Sequence, residues 1–529
     1  MTDLHVRERI LPSHPLETLT TPIKEKRERF LFALLATVAF SLIANGFSYL
    51  NYYPIHDALL FTFPNSGERG WQISLGRFLI PAYQLLKGET AVPWLTGILS
   101  MLYLGISVYL ISVILKQKSR LEILLTAAFL SANIATTEIN AVHQYYADAF
   151  LLSLLFACLG AFFLREQIDR KSALAACCAL WFSFGLYPAF ITFAGCLLAF
   201  SAAVEMVESN GLHRDLCRRI LIWLGLFAVS GLAYLLAGRI CLRYFGLSPA
   251  ASAWSIYSAG SRSLSALLKE VLNSYRRFFQ LFFDGRKFTG RLSGLAVTLL
   301  VFGSLLVFLI SSWRTTKKGV LLFFLVLLFL FPCGSRLVNI FTGSPSSFRT
   351  MFAQFLLLPF AVTLLCSGLR QPEAEKRRLV SAITAGAVAL SLVIVWCNVC
   401  YSNRAFTVQR VQHERAVYHT GRILQELDEV YPDRDPSEMV VVTGYFKTPG
   451  ASDAHIKPFR GISGMSESTG MNYEDVFYSI ANSLGCRLNW NRESLSLYSE
   501  KPEVQALPCY PAPGYIREID GAIVIKLSD

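Results

Sequence analysis

Long apolar runs separated by short polar segments dominate the first 400 residues of this chain. A run of about 20 apolar residues matches the ~30 Å hydrocarbon thickness of a bilayer, so each run predicts a membrane-spanning helix. Continuous rather than alternating apolar runs favour helices over a barrel. The pattern predicts about eleven helices, over residues 30–48, 93–115, 121–138, 147–164, 173–187, 189–207, 219–240, 292–312, 319–337, 349–367 and 379–400.

The segment GLYPAF divides the fifth run from the sixth, because Pro188 discourages a continuous helix. Two further segments have apolar residues at three-to-four spacing but carry charges, and we expect them to lie in the membrane interface. These are GWQISLGRFLIPAYQLL, with Trp71 as an interface anchor, and SLSALLKEVLNSYRRFFQLFF.

The chain becomes much more polar after residue 400. HERAVYHTGRILQELDEVY has helical spacing, whereas EMVVVTGYF and GAIVIKLS are typical of buried strands. We therefore expect an all-α polytopic membrane protein with a small C-terminal α/β or α+β domain. The predicted division is a tail over 1–29, a membrane domain over 30–400 and an extracytoplasmic domain over 401–529.

Basic residues gather in every second connection between the apolar runs. Such connections face the cytoplasm, which places the N-terminus inside and, with an odd number of spans, the C-terminus outside. The first run lacks a cleavage pattern, and we expect it to remain as an anchor. The basic connections lie near residues 24–29, 116–120, 165–171, 213–219, 314–318 and 376–378.

Composition supports the membrane interpretation and excludes several other classes. The chain is 53% hydrophobic and 16% charged, which no ordinary soluble core can accommodate. Basic helix ends account for the net charge of +12, and we find no nucleic-acid stripe, no Gly-rich phosphate loop and no zinc-type Cys/His spacing. Most of the cysteines lie within apolar runs, but Cys486 and Cys509 fall in the outer domain, where the compartment permits a disulfide.

Three carboxylates follow or precede apolar runs at the predicted outer face: Asp57, Glu138 and Asp148. An ionisable group at membrane depth is costly, so each is a candidate for function. Instead of a functional role, Asp57 could be a solvated loop acid or a helix cap. Asp148 could be a first-turn acid whose negative charge interacts favourably with the helix dipole.

Basic residues are unusually numerous on the same face. The 241–291 loop, which includes Arg276 and Arg277, carries eight basic side chains against two acidic ones, contrary to the positive-inside bias. The loop either binds an anionic ligand or contacts acidic lipid headgroups. Arg77, Arg336 and Arg349 lie at outer helix ends, where a guanidinium can bind a phosphate in bidentate fashion. A carboxylate base facing an arginine-bound lipid phosphate could move a sugar from that phosphate to a hydroxyl.

The outer segments YPIHDALL and GWQISLGR, followed by HQYYADAFLLSLLFACLGAFF and FSFGLYPAFITF, resemble the Gtr-type bacterial glucosyltransferases, glucosyl transferase family II of the GT-C superfamily. The resemblance covers roughly residues 30–400 and rests on the order and spacing of these segments. Asp57, Trp71, Arg77, Asp148 and Tyr187 fall at matching positions. The chain departs from the family at residue 56, where His replaces the first of two adjacent acids, and after Tyr187, where Pro replaces Gln.

The resemblance implies a polyprenyl-phosphate-linked glucose donor, used on the outer face of the bacterial cytoplasmic (inner) membrane to modify a surface glycan such as O-antigen. No metal is required if arginines neutralise the donor phosphate, and a flippase and a donor synthase are the expected partners. The candidate residues are Asp57 as general base, Asp148 and Glu138 for acceptor positioning, Arg77, Arg336, Arg349, Arg276 and Arg277 for the donor phosphate, and His56, Trp71, His143, Tyr146 and Tyr187 for substrate binding.

Two other classes share this hydropathy pattern. A lipid or polysaccharide transporter should carry charges along a path inside its helices and show paired half-chains, and neither is visible here. In a scaffolding membrane protein, the basic outer loop would only bind lipid. Neighbouring genes for a flippase and a polyprenyl-phosphate glucose synthase would separate these alternatives from a transferase.

Overall fold

A computed structural model describes most of the chain. It covers residues 25–54, 58, 66–88, 92–166, 168–211, 213–251, 255–258, 263–285, 288–313, 316–343, 347–369, 377–444, 462 and 474–528. His56 and Asp57 lie outside the described residues, as do Arg262, Arg286 and Lys287 of the basic outer loop.

The described part is mostly helical, as the apolar pattern predicts. The first half contains α1 Lys26–Leu50, α2 Ser66–Ser74, α3 Leu79–Lys87, α4 Pro93–Ile114, α5 Arg120–Ser131, α6 Ile134–Val142, α7 Ala147–Leu164, α8 Arg170–Leu186 and α9 Ile191–Glu208. The second half of the membrane region contains α10 Arg214–Tyr244, α11 Leu264–Phe279, α12 Arg291–Ser312, α13 Lys318–Gly334, α14 Leu337–Thr342, α15 Leu357–Gly368 and α16 Arg377–Val430.

Eight helices of the described residues are long and apolar enough to cross a membrane, and α13 is a shorter apolar helix. The chain is therefore a membrane protein. The predicted count of about eleven spans is not confirmed, although each of the eleven apolar runs falls on helical structure. As predicted, Pro188 interrupts the fifth and sixth runs, and it begins a short 3-10 turn between α8 and α9.

The third apolar run differs from the prediction of one helix over 121–138. It is divided into α5 and α6, because the Asn133 side chain accepts a hydrogen bond from the Thr136 N–H at 3.0 Å and caps a new helix. The same amide donates to the carbonyls of Phe129 and Leu130, which closes the preceding helix. Glu138 consequently lies in the middle of α6, fully buried, rather than at a helix end.

The segment over α11 is a strongly amphipathic helix. Leu264, Leu268, Leu272 and Phe279, one turn or two apart, leave half or more of their surfaces exposed. Phe278, outside this stripe, is buried in the core of the membrane helices. An exposed apolar stripe and basic residues in the last turn are features of an interfacial helix, and the interfacial position of α11 stays a prediction.

The last membrane helix continues far beyond the apolar run that predicted it. Helix α16 is 54 residues long, so it extends through residue 400 without a break and reaches the C-terminal region. At ~1.5 Å per residue such a helix is about 80 Å long, more than twice the bilayer's apolar thickness. The helix predicted over HERAVYHTGRILQELDEVY is the distal part of α16.

The C-terminal region has its own hydrophobic core, separate from that of the membrane helices. A three-stranded sheet has the order β1-β3-β2, with β1 parallel to β3 and β2 antiparallel to it. The two predicted strands are β1 and β3, and Cys486 and Cys509 are both thiols rather than a disulfide. The elements are β1 Met439–Thr443, α17 Glu474–Ser483, α18 Arg492–Ser499, α19 Pro502–Gln505, β2 Ile516–Ile519 and β3 Ala522–Lys526.

Candidate active site

The turn that ends α2 directs the Arg77 side chain into the protein interior. The N–H of Gly76 donates to the Ile73 carbonyl at 2.9 Å and the N–H of Arg77 to the Gln72 carbonyl at 2.8 Å, which is the Schellman ending of α2. Gly76 has φ +90°, and a Cβ there would lie 2.5 Å from the Tyr234 hydroxyl. Only glycine therefore fits before Arg77.

The Arg77 guanidinium is buried between aromatic rings. It lies 5.1 Å from the centroid of the Tyr187 ring and 5.8 Å from that of Phe150, and the residue is 6% exposed. Its side chain donates only to the amide oxygen of Gln72, at 3.4 Å, and forms no ion pair with a carboxylate of the described residues. A buried cation without a counter-charge is unfavourable, so this position favours an anionic ligand.

Arg349 and Glu138 form a buried ion pair beside the same rings. The Arg349 N–H donates to Glu138 at 2.8 Å and its guanidinium reaches the other carboxylate oxygen at 3.3 Å. The turn that carries Arg349 packs against the turn after Tyr187, where the Phe190 and Phe352 rings lie 5.6 Å apart between centroids, so the pair lies next to the Arg77 cluster. The pair joins α6 to the 3-10 turn before α15. Its charges neutralise each other, which distinguishes Arg349 from Arg77.

A small cleft lies beside this cluster. Arg77 and Tyr187 line it together with Val338, Thr342 and Thr350. The Asn339 amide donates to the Thr350 hydroxyl at 3.1 Å, which fixes α14 against the turn that carries Arg349. Arg77 and Tyr187, from distant parts of the sequence, therefore line the same cleft.

Asp148 belongs to a neighbouring cluster and is completely buried. Lys87 Nζ lies 2.9 Å from one carboxylate oxygen and 3.1 Å from the other, and the Tyr83 hydroxyl donates to Asp148 at 2.7 Å. Burial and the carboxylate of Asp148 raise the pKa of Tyr83, so its hydroxyl remains a donor. Lys87 also donates to the Tyr145 carbonyl at 2.8 Å, which fixes the turn before α7.

His143 and Tyr146 lie in that turn. The Tyr146 hydroxyl is 2.8 Å from His143 Nδ1, and both residues are buried. Their rings contact Phe150, whose ring also lies beside Tyr187 at 4.3 Å between centroids. This turn and the first residues of α7 thus connect the Asp148 cluster to the Arg77 cluster through Phe150.

The remaining candidate residues are not brought to this cluster. Arg336 is fully buried and donates to the Ser274 hydroxyl of α11 at 3.1 Å. Arg276 and Arg277 are exposed at the end of the same helix. Trp71 is 43% exposed on α2, as an interface anchor would be.

The chain immediately before residues 55–57 is held by α16. Gln409 donates to the carbonyls of Tyr53 at 2.8 Å and Ala141 at 2.9 Å, and His413 Nδ1 donates to the Pro54 carbonyl at 2.8 Å. The spacing of four residues puts Gln409 and His413 on one helix face. The distal part of α16 therefore contacts the segment that leads to His56 and Asp57.

Several of these residues were not predicted. Lys87 and Tyr83 hold Asp148, Phe150 lies beside Arg77, and Gln409 and His413 bind the carbonyls of Tyr53 and Pro54. Lys87 did leave a signal, because an isolated lysine at the end of an apolar helix needs a nearby acid. Among the described residues, His, Cys, Asp and Glu side chains form no group of three that could hold a metal ion.

Comparison with known families identifies the chain's type. The family described as Glucosyl transferase GtrII matches residues 46–395, about two thirds of the chain, including every part of the Arg77 and Asp148 clusters. Neither the search of curated proteins nor the search of solved structures finds a match. The protein belongs to the GtrII glucosyl transferase family and is a membrane glycosyltransferase.

Proposed function

We propose that the protein transfers glucose from a polyprenyl-phosphate donor to a surface glycan such as O-antigen, on the outer face of the bacterial inner membrane. The observation that carries this proposal is the buried Arg77 guanidinium, which faces a cleft and has no ion-pair partner among the described residues. A glucosyl transferase that uses a lipid-phosphate donor needs such a cation for the departing phosphate.

The proposed reaction needs one base and one or more cations. The acceptor hydroxyl loses its proton to the base, and its oxygen forms a bond to C1 of glucose. The bond between C1 and the phosphate oxygen breaks, and its electron pair remains on the polyprenyl phosphate. Arg77 stabilises that charge. Arginine can supply this stabilisation without a metal ion, so we expect activity to persist in the presence of a chelator.

An apolar cavity near Arg336 supports a lipid-linked donor. It has a volume of about 230 Å³ and is lined mainly by phenylalanines of α11 and α13, with leucines of α12 and α15. Pro332 lines this cavity, and Arg336, four residues later, donates to Ser274, the neighbour of the lining residue Tyr275. An apolar cavity beside the helix that binds a buried arginine fits an amphiphile with an anionic head, and the exposed Arg276 and Arg277 could guide that head from the interface.

Asp57 is our proposed general base. The described residues on either side of it, Pro54 and Ala58, are buried, and the Pro54 carbonyl is held by His413. The other two candidate acids are already engaged: Glu138 with Arg349 and Asp148 with Lys87. These two acids are proposed to position the site rather than to take the proton.

Asp57→Asn tests the base assignment. Asparagine keeps the size and polarity of the side chain but cannot accept the proton, so transfer should fall by about 10²–10⁴-fold. Expression and membrane insertion should be unchanged, and His56→Ala should have a milder effect. The measurement is glycan modification in cells with matched protein levels. Near-normal modification by Asp57→Asn would make Asp148 the next candidate.

The reaction itself is tested with purified protein in detergent. Incubation with radiolabelled polyprenyl-phosphate glucose and the acceptor glycan should give a labelled glycan, whereas radiolabelled UDP-glucose alone should give none. Transfer from the UDP-sugar alone would reject the lipid donor. Movement of the lipid across reconstituted vesicles without any labelled product would instead favour a transporter or flippase.

A further inference from the structure

The C-terminal domain contains an open cavity of about 720 Å³ that the transferase site does not use. It lies between the start of β1 and the segment that connects α17 to α18. Its lining combines two aromatic rings, Tyr478 and Trp490, with the polar side chains Asn482, Arg487 and Asn489. The aromatic part and the polar part are built in different ways.

The aromatic part is a rigid platform. The Tyr478 hydroxyl donates to the Val440 carbonyl at 3.0 Å and accepts from the Val442 N–H at 2.8 Å, so β1 holds the ring in place. The Trp490 ring stacks on Tyr478 with 4.2 Å between centroids and 5° between planes. Trp490 is only half-buried although it lines the cavity, so part of the indole remains open to a ligand.

The polar part lies at the edge of the same cavity. Asn482 and Arg487 are solvent-accessible, and their side chains form no hydrogen bond or ion pair with the described residues. An asparagine amide offers two donors and an acceptor, and a guanidinium offers five donors. Asn489 is fixed by donation from its amide to the Ser437 carbonyl at 2.6 Å. Available donors and an acceptor therefore surround the indole.

We propose that this cavity binds a pyranose unit of a neutral glycan, the acceptor of the transferase. One face of a pyranose ring presents C–H groups, which pack on the electron-rich face of an indole, while its rim presents hydroxyls that amides and guanidinium groups bind. The cavity is open rather than enclosed, which suits one unit of a long chain. The choice of the acceptor as occupant rests on the proposed function.

Titration of the full-length protein in detergent tests the proposal. The probe is delipidated surface polysaccharide from the cells that produce the protein, and binding is measured by calorimetry. We expect saturable binding that Trp490→Ala weakens about tenfold, since a stacked ring is worth roughly 1.4 kcal/mol. Asn482→Ala combined with Arg487→Ala, both on the surface, should weaken binding without changing thermal unfolding. Trp313→Ala, which removes an exposed tryptophan outside the cavity, should bind normally.

Three results would overturn the proposal. The first is no binding by the unchanged protein. The second is binding by the Trp490→Ala variant and the Asn482/Arg487 variant that is as tight as binding by the unchanged protein. The third is binding of polyglutamate as tight as that of the polysaccharide, which would identify a simple anion patch. The transferase assay is independent of them. Transfer without polysaccharide binding contradicts this inference alone, whereas polysaccharide binding without transfer contradicts the proposed function alone.

Discussion

At the scale of single residues, buried charges separate the roles of the candidate side chains. Arg349 and Lys87 each have a carboxylate partner, but Arg77 has none among the described residues. Arg349, Lys87 and Arg77 look equivalent in the sequence, but they differ in whether their charge is already neutralised. The first two hold the fold, and Arg77 is available to a ligand.

Arg77→Ala should reduce glucose transfer by about 100- to 1000-fold, the usual effect of removing one donor to a developing negative charge. The measurement is the initial rate with purified protein at saturating donor. The matched control is Arg410→Ala, an exposed arginine of α16 whose rate should not change. Equal rates for both variants would place the donor phosphate elsewhere, near Arg276 and Arg277.

Lys87→Met should destabilise the protein by about 3–5 kcal/mol, because it leaves the Asp148 carboxylate buried without its cation. The readout is thermal unfolding in detergent. Adding Asp148→Asn to that variant should recover much of the loss, since no charge is then buried. Strictly additive effects of the two changes would show that the ion pair does not couple them.

At the scale of elements, short interruptions in the apolar pattern position the site. The Schellman ending of α2 turns Arg77 inward, and the Asn133 cap divides the third run so that Glu138 faces Arg349. The turn at Pro188 places Tyr187 beside Arg77 and beside the Glu138–Arg349 pair. Each interruption depends on one residue whose backbone or side chain ends a helix.

Gly76→Ala tests the first of these interruptions. Alanine would be strained at φ +90° and its Cβ would contact the Tyr234 hydroxyl, so we expect a loss of about 1–3 kcal/mol and reduced transfer. Gly225→Ala is the control, because an added Cβ at this helical glycine would meet no atom within 4 Å. Gly225→Ala should be neutral or slightly stabilising in thermal unfolding. Unchanged stability and transfer in Gly76→Ala would contradict the structural requirement.

At the scale of the whole molecule, the two ends of the helix bundle have different chemistry. One end carries the Arg77 and Asp148 clusters and receives the distal part of α16, which leads to the C-terminal domain. The other end carries surface ion pairs such as Lys116–Glu208 and Arg219–Glu205 around a cavity of about 1110 Å³. We propose that the first end faces outward and the second faces the cytoplasm.

Reporter fusions test this orientation. Fusions after residues 118, 214 and 316 should be active only with a cytoplasmic reporter, whereas fusions after 260 and 450 should be active only with an extracytoplasmic one. Western blots confirm that each fusion is produced. A cytoplasmic signal at 450 would move the C-terminal domain to the inside, and the proposed outer-face transfer would then be wrong.

The sequence by itself determined the class of the protein. Apolar runs as long as a bilayer is thick can only be helices there, since lipid offers no partner for backbone polar groups. Short apolar stretches in the polar C-terminal region likewise predicted β1 and β3. The resemblance to the glucosyltransferases is confirmed by the family match over residues 46–395. These properties are local, or follow from composition, so they do not depend on how the helices pack.

Only the tertiary structure decided which charges are paired. Lys87 lies 61 residues from Asp148, and Arg349 lies 211 residues from Glu138, so no periodicity along the chain could have joined them. The length of α16 was also hidden, because the apolar pattern stops near residue 400 while the polar part of the helix continues. Packing between distant segments thus pairs Lys87 and Arg349 with carboxylates and leaves Arg77 without such a partner among the described residues.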